Sequence, residues 1–192
     1  MTSNRISDII EEMEYRLRDI SEPVIALDGR CAAGKTTLAN GIVKKLGFGV
    51  VHMDDYFLPA DMRTFERLSQ PGGNVHSERF SVQVLPFLKS SFSYRPYCCS
   101  TDMYGEPVSI PAGGVVVEGA YSLHPTFGSY YDLAVFMDIS PELQIARIIQ
   151  RSGEEKLPAF RDRWIPLEEA YHHAFDVKSR CDIVVFAEEI TQ

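Results

Sequence analysis

Gly29-Arg30-Cys31-Ala32-Ala33-Gly34-Lys35-Thr36 has the spacing of a phosphate-binding loop: a glycine, four residues, then Gly-Lys-Thr. Each residue type meets a need of a phosphate. Gly29 and Gly34 let the backbone bend tightly, so that its N–H groups turn inward. Ala32, Ala33 and Thr37 belong to the same cradle of amides. Lys35 offers a cation to the β- and γ-phosphates, and the Thr36 hydroxyl can bind Mg²⁺. A helix starting at Lys35 adds the positive end of its dipole.

Three further groups fit the same chemistry. Asp54 and Asp55 close a short apolar run, His52-Met53 included. Successive side chains of a strand point apart, so one of the two carboxylates is expected to reach the phosphates. Glu118 ends the run Val115-Val116-Val117, where a Walker-B-type acid would hold Mg²⁺ through water. A structural ion pair is the other reading. Arg147 and Arg151 lie one turn apart on one helix face. With Arg161 and Arg163 they flank a polar stretch, about 151–163, that reads as a closing lid over the phosphates; a solvated helix face is the plainer alternative. Cys31, Cys98, Cys99 and Cys181 lack metal-ligand spacing and read as free thiols.

These residues need elements to hold them. Val24–Leu27 reads as a buried strand and Lys35–Leu46 as a helix, with Leu38, Ile42, Val43 and Leu46 at helical spacing. Phe48–Met53, Val115–Gly119, Leu133–Met137 and Asp182–Phe186 read as further strands. Residues 4–20, 81–88, the run after Pro141, and 168–175 read as helices. Residues 58–77 form a long loop, and a hairpin with flanks 94–97 and 108–110 carries Asp102–Gly105 at its turn. Five strands alternating with helices indicate a three-layer α/β fold of the P-loop nucleoside triphosphate hydrolase type, with a mostly parallel sheet. The 192 residues suit one domain. A net charge of −8 argues against nucleic acid or an anionic membrane as partner. No apolar run approaches the roughly 20 residues of a membrane span, and the N-terminal segment has no apolar signal core, so a cytoplasmic location is the default. The amphipathic first helix leaves a homo-oligomer open.

Leu27–Ala39, His52-Met53-Asp54-Asp55-Tyr56-Phe57 and Val117–Pro125 resemble the uridine kinase-like branch of P-loop kinases, with phosphoribulokinase and bacterial pantothenate kinase among its relatives. Arg161–Tyr171 is similar to bacterial members of that branch. The resemblance spans Val24 to Phe186. It implies an ATP-dependent, Mg²⁺-assisted kinase acting on the hydroxyl of a small metabolite, a nucleoside first of all. It assigns Asp54 as the base that takes the acceptor's proton and approaches Mg²⁺, and Glu118 as the second acid of the metal. Arg147 and Arg151 match arginines near the transferring group. Tyr56, His76, Arg79, Tyr97, Arg161 and Arg163 are the acceptor-side candidates. The chain departs from the pattern at His76, where uridine kinases usually carry Asp, and at Tyr97-Cys98, where many relatives have Tyr-Asp. A non-nucleoside acceptor such as pantothenate or a sugar alcohol therefore stays open, as does an ATP-binding protein with an inactive acceptor site. A GTP-dependent switch is disfavoured. Asp102-Met103-Tyr104-Gly105 has the Asp-x-x-Gly form but sits in a turn, and the chain has no Asn-Lys-x-Asp.

Overall fold

The computed structural model describes residues 4–191. Five strands, β1 (Val24–Gly29), β2 (Gly49–His52), β3 (Val115–Glu118), β4 (Leu133–Asp138) and β5 (Ile183–Phe186), form one sheet in the order β5-β4-β1-β3-β2. Every pairing in it is parallel. From β1 the chain runs outward to β2, returns to β3, and then crosses to β4 on the other side of β1. Connections diverge in this way at a topological switch point, beyond whose carboxyl strand ends α/β proteins bind their ligands.

The sheet is buried on both faces, which explains why its strands are continuous apolar runs without alternation. Ile25, Leu27, Val116, Val135 and Met137 pack against α1 (Ile6–Leu17) and α2 (Lys35–Leu46), through Ile10, Met13, Leu38 and Ile42. Val24, Ala26, Val117 and Phe136 point the other way, into an aromatic layer of Tyr56, Phe80, Tyr121 and Tyr171. Each large side chain fully buried there contributes about 1.5–3 kcal/mol. Tyr171 comes from α5 (Ile165–Ala174), and Phe80 from α3 (Ser77–Gln83). The remaining long helix, α4 (Pro141–Ser152), follows β4. Among the described residues no helix is long and apolar enough to cross a membrane.

Several boundaries differ from the sequence reading. The first helix covers 6–17 rather than 4–20, because Asn4–Arg5 pairs in parallel with Ile190–Thr191. The helix expected over 81–88 lies at 77–83, and a 3₁₀ turn at Leu85–Phe87 accommodates Pro86. The loop 58–77 carries helical turns at Ala60–Met62 and Phe65–Leu68. The hairpin is two short ladders, Phe92–Tyr94 with Val108–Ile110 and Tyr97–Cys98 with Met103–Tyr104. The stretch read as a polar lid is helical: Leu157–Ala159, a π-turn at Phe160–Trp164, then α5.

Candidate active site

The carboxyl end of β1 turns directly into the phosphate-loop sequence. Gly29 stands at φ 132°, and a Cβ there would meet the Met137 carbonyl oxygen of β4 at 2.1 Å. Only glycine fits that position. Ala32 is held in the left-handed region at φ 61°, and Gly34, at φ 105°, caps the start of α2. Among the described residues no hydrogen bond takes up the amides of Gly34, Lys35, Thr36 or Thr37. The loop's carbonyls, by contrast, are engaged by side chains. Gln144 Nε2 donates to Cys31 O at 3.0 Å, and Arg147 Nη1 donates to Ala32 O at 3.2 Å and Ala33 O at 3.3 Å. Lys35 Nζ donates to Gly29 O at 2.6 Å and Arg30 O at 2.9 Å. The unpaired amides of Gly34 to Thr37, at the start of α2, form a candidate anion cradle.

The acids stand beside this cradle. Glu118 is buried at the end of β3, and its Oε1 accepts from the Thr36 hydroxyl at 3.1 Å. His52 Nδ1 lies 2.6 Å from the same oxygen. The hydrogen bond to Glu118 raises the His52 imidazole; Asp55 and Asp54 add to this and burial opposes it. Asp54 and Asp55 are told apart by their partners. Asp55 accepts from Tyr94 OH at 2.8 Å, while Asp54 makes no side-chain hydrogen bond or ion pair with any described residue. Crowding by neighbouring atoms and the Glu118 charge push the Asp54 carboxyl up, against Lys35 and His52. Its side chain is open to solvent, so water screens that shift.

No described group of three or more His, Cys, Asp or Glu side chains could hold a metal ion by itself. That is compatible with Mg²⁺, which keeps most of its waters and is bound by one or two carboxylates and substrate phosphates. Thr36 and Glu118, already joined, and the free Asp54 carboxylate are oxygen donors of the kind it takes.

Behind the loop lies a buried charge network absent from the sequence-level site. Asp28 is fully buried in β1 and accepts from the amides of Gly29 at 2.7 Å, Tyr121 at 3.3 Å and Leu123 at 2.9 Å, and from Tyr171 OH at 2.7 Å. Burial opposes its ionisation, but His172 and these donors bring its carboxyl below the usual value. Glu168, buried in α5, accepts from the Cys31 amide at 2.8 Å; burial raises it. Arg30 pairs with Glu169 at 2.6 and 2.9 Å and with Asp138. The sequence signal for Asp28 is an acid inside an otherwise apolar run. Glu168 and His172 carry none, because their partners lie far away in the chain.

The other candidates are placed as follows. Arg147 reaches the loop carbonyls, and Arg151 lies 3.8 Å from Cys31 Sγ. Burial and Glu168 raise the Cys31 thiol, against Lys35 and Arg151, so it is not a poised thiolate. Arg161 pairs with its neighbour Asp162, and Arg163 lies over Trp164 at 4.5 Å; both are exposed and do not gather at the loop. Tyr56 is fully buried against Phe80, with the Arg79 guanidinium 4.2 Å over its ring. Arg79 donates to Asp55 O at 2.9 Å and also to Arg95 O. Tyr97 is buried, its hydroxyl on Asp102. All three are held by contacts within the protein. His76 caps α3, accepting from Arg79 N at 3.3 Å, with Glu78 at 3.3 Å from the same ring nitrogen.

No protein-family model matches the chain, and no curated protein sequence does. Solved structures do. A possible uridine kinase from Bacillus stearothermophilus is 21% identical, with TM-score 0.67 over 94% of this chain and 98% of that one. A protein provisionally assigned as a fructose transport system kinase, from Silicibacter sp. TM1040, is 18% identical, with TM-score 0.72 over 94% and 98%. D-glycerate 3-kinase from Cryptococcus neoformans is 14% identical, with TM-score 0.61 over 96% of each chain. The chain has the fold of uridine kinase-like and related P-loop kinases; at these identities the likeness is one of fold.

Proposed function

We propose that the protein is an ATP-dependent phosphotransferase that moves the γ-phosphoryl group to a hydroxyl of a small metabolite. The single observation that carries this reading is the anion cradle with Asp54 beside it. Unpaired amides, a lysine and a Thr–Glu pair stand next to one carboxylate that no described residue engages. Phosphoryl transfer asks a protein for in-line positioning and charge neutralisation rather than covalent chemistry. The cradle and Lys35 hold the triphosphate. Thr36, Glu118 and Asp54 would hold Mg²⁺, which neutralises phosphate charge when bound. Asp54 accepts the acceptor's hydroxyl proton, and its open side chain leaves room for that alcohol. Arg151, exposed and already in contact with the loop at Cys31, would approach the transferring group.

The acceptor class has two readings. A nucleoside follows from the uridine kinase-like fold. An alcohol other than a nucleoside is favoured by His76, which stands where a sugar-binding carboxylate is expected and whose ring already caps a helix. ATP consumption against nucleosides, pantothenate, glycerate and sugar alcohols, with mass detection of products, separates them. Turnover on one class identifies the acceptor, and silence on all supports an inactive nucleotide-binding protein.

Asp54→Asn is expected to leave ATP binding close to wild type and to cut turnover by about a hundredfold or more, the scale of a lost general base. Near-normal turnover would remove Asp54 from that role. Lys35→Ala is expected to weaken both ATP binding and rate, and unchanged ATP affinity would count against the cradle.

A further inference from the structure

His52 has no part in the scheme above, and its placement is specific. It and Glu118 are register partners on the adjacent parallel strands β2 and β3. The sheet itself therefore delivers the imidazole to the carboxylate, with His52 Nδ1 at 2.6 Å from Glu118 Oε1. An ionised carboxylate only accepts, so Nδ1 carries the proton. The Thr36 hydroxyl reaches the same oxygen at 3.1 Å from the opposite side, across the start of α2. Oε1 is thus held by two donors from two elements, while Oε2 is engaged by no described hydrogen bond. Packing does not explain the histidine: its side chain is 37% exposed, against 6% for that of Glu118. A buried carboxylate with one oxygen fixed and one free has one preferred orientation, and it needs a partner for the free oxygen.

We propose that His52 is a positioning residue for the divalent-cation site: it fixes the orientation of Glu118 so that Oε2 is the oxygen left for the metal. This rests on reading the loop as a Mg²⁺–nucleotide site. Groups that hydrogen-bond a metal-ligating carboxylate from behind tune affinity by about 10- to 100-fold. The role is separate from holding the nucleotide, because His52 contacts no loop backbone.

The test measures binding without turnover. Mn²⁺ is titrated, with paramagnetic resonance detection, into protein saturated with a non-hydrolysable ATP analogue. Analogue affinity without divalent ions and thermal midpoints are recorded alongside. His52→Leu is expected to weaken Mn²⁺ binding about 10- to 100-fold and to keep wild-type analogue affinity without metal. His52→Asn, which can present an N–H near the position of Nδ1, is expected to restore most of the Mn²⁺ affinity. Should the leucine variant fail to fold, His52→Thr, a strand former too short to reach Glu118, carries the same expectation. Wild-type Mn²⁺ affinity in the folded leucine or threonine variant overturns the inference, as does equal loss of metal-free analogue binding. A wild-type protein that binds no nucleotide overturns the underlying reading as well, so the two failures are distinguishable.

Discussion

Arg147 shows how one residue's role depends on what its side chain touches. Its spacing from Arg151 places both on one face of α4, and both do reach the phosphate loop. Arg147, however, gives its donors to backbone carbonyls. Nη1 donates to Ala32 O at 3.2 Å and Ala33 O at 3.3 Å, and Nη2 to Ala187 O at 3.4 Å. These bonds hold the peptide units on either side of Ala33, the second of which carries the unpaired Gly34 amide. A hydrogen bond to a charged group contributes about 1.5–3 kcal/mol, and about 1.4 kcal/mol is tenfold in affinity. Arg147→Ala is therefore expected to weaken ATP binding by roughly tenfold or more, read by titration calorimetry. If Arg147 instead touched only the transferring phosphoryl group, kcat would fall and the dissociation constant for ATP would stay unchanged.

At the scale of elements, α5 ties the helical segment before it to the phosphate-loop sequence. Pro166 has no N–H to give to the carbonyl four residues back, and the ladder widens just before it: Ile165 N bonds Phe160 O around the π-turn Phe160–Trp164. The charged run within 151–163 made this segment read as a polar lid. Past the π-turn, α5 places Glu168 on the Cys31 amide and Glu169 on Arg30. Glu168→Ala is expected to cost about 1–3 kcal/mol in urea denaturation, the penalty of a buried amide left unpaired. Glu168→Gln keeps an acceptor and removes a buried charge, so it should cost much less. Equal losses in the two variants would show that the amide contact is not what Glu168 supplies. The strands were legible because two-sided burial writes itself as unbroken apolar runs at 24–27, 115–117 and 133–137. The helix at 77–83 was misplaced because Val82, the apolar residue that started the 81–88 pattern, is 70% exposed while Phe80 is fully buried. Of the site, the loop, Asp54 and Glu118 could be found because strand ends locate them. Asp28 showed only as an acid inside an apolar run, and His52 and Glu168 could not be found, since each acts through strand register or a contact more than 60 residues away in sequence.

Across the whole molecule, a charge network beside the loop, with Asp28, Asp138 and His172 buried and Arg30, Glu169 and Lys178 partly exposed, ties together β1, β4, α5 and the segment after it. His172 is the pivot. Its ring nitrogens are buried without a hydrogen-bond partner, yet Asp28 lies at 3.7 Å and Glu169 at 4.0 Å. Those contacts are too long for hydrogen bonds and act as charge attraction. Against burial, the two carboxylates raise the imidazole to about 9, while Arg30 and His172 hold Glu169 at about 2. A raised histidine contributes stability that is fully present below its unfolded value near 6.5 and is lost as pH rises through about 9. The lowered Asp28 and Glu169 contribute stability above the ordinary carboxylate range that is lost as pH falls below it. Maximal stability is thus expected between about pH 5 and pH 6.5, with a decline of on the order of 1–3 kcal/mol toward pH 9. Urea denaturation across that window checks this, and His172→Phe, which keeps a ring against Phe136, should flatten the alkaline decline. A wild-type profile already flat from pH 6.5 to 9 would mean that His172 is buried neutral. Asp28 would then be held by its hydrogen bonds alone.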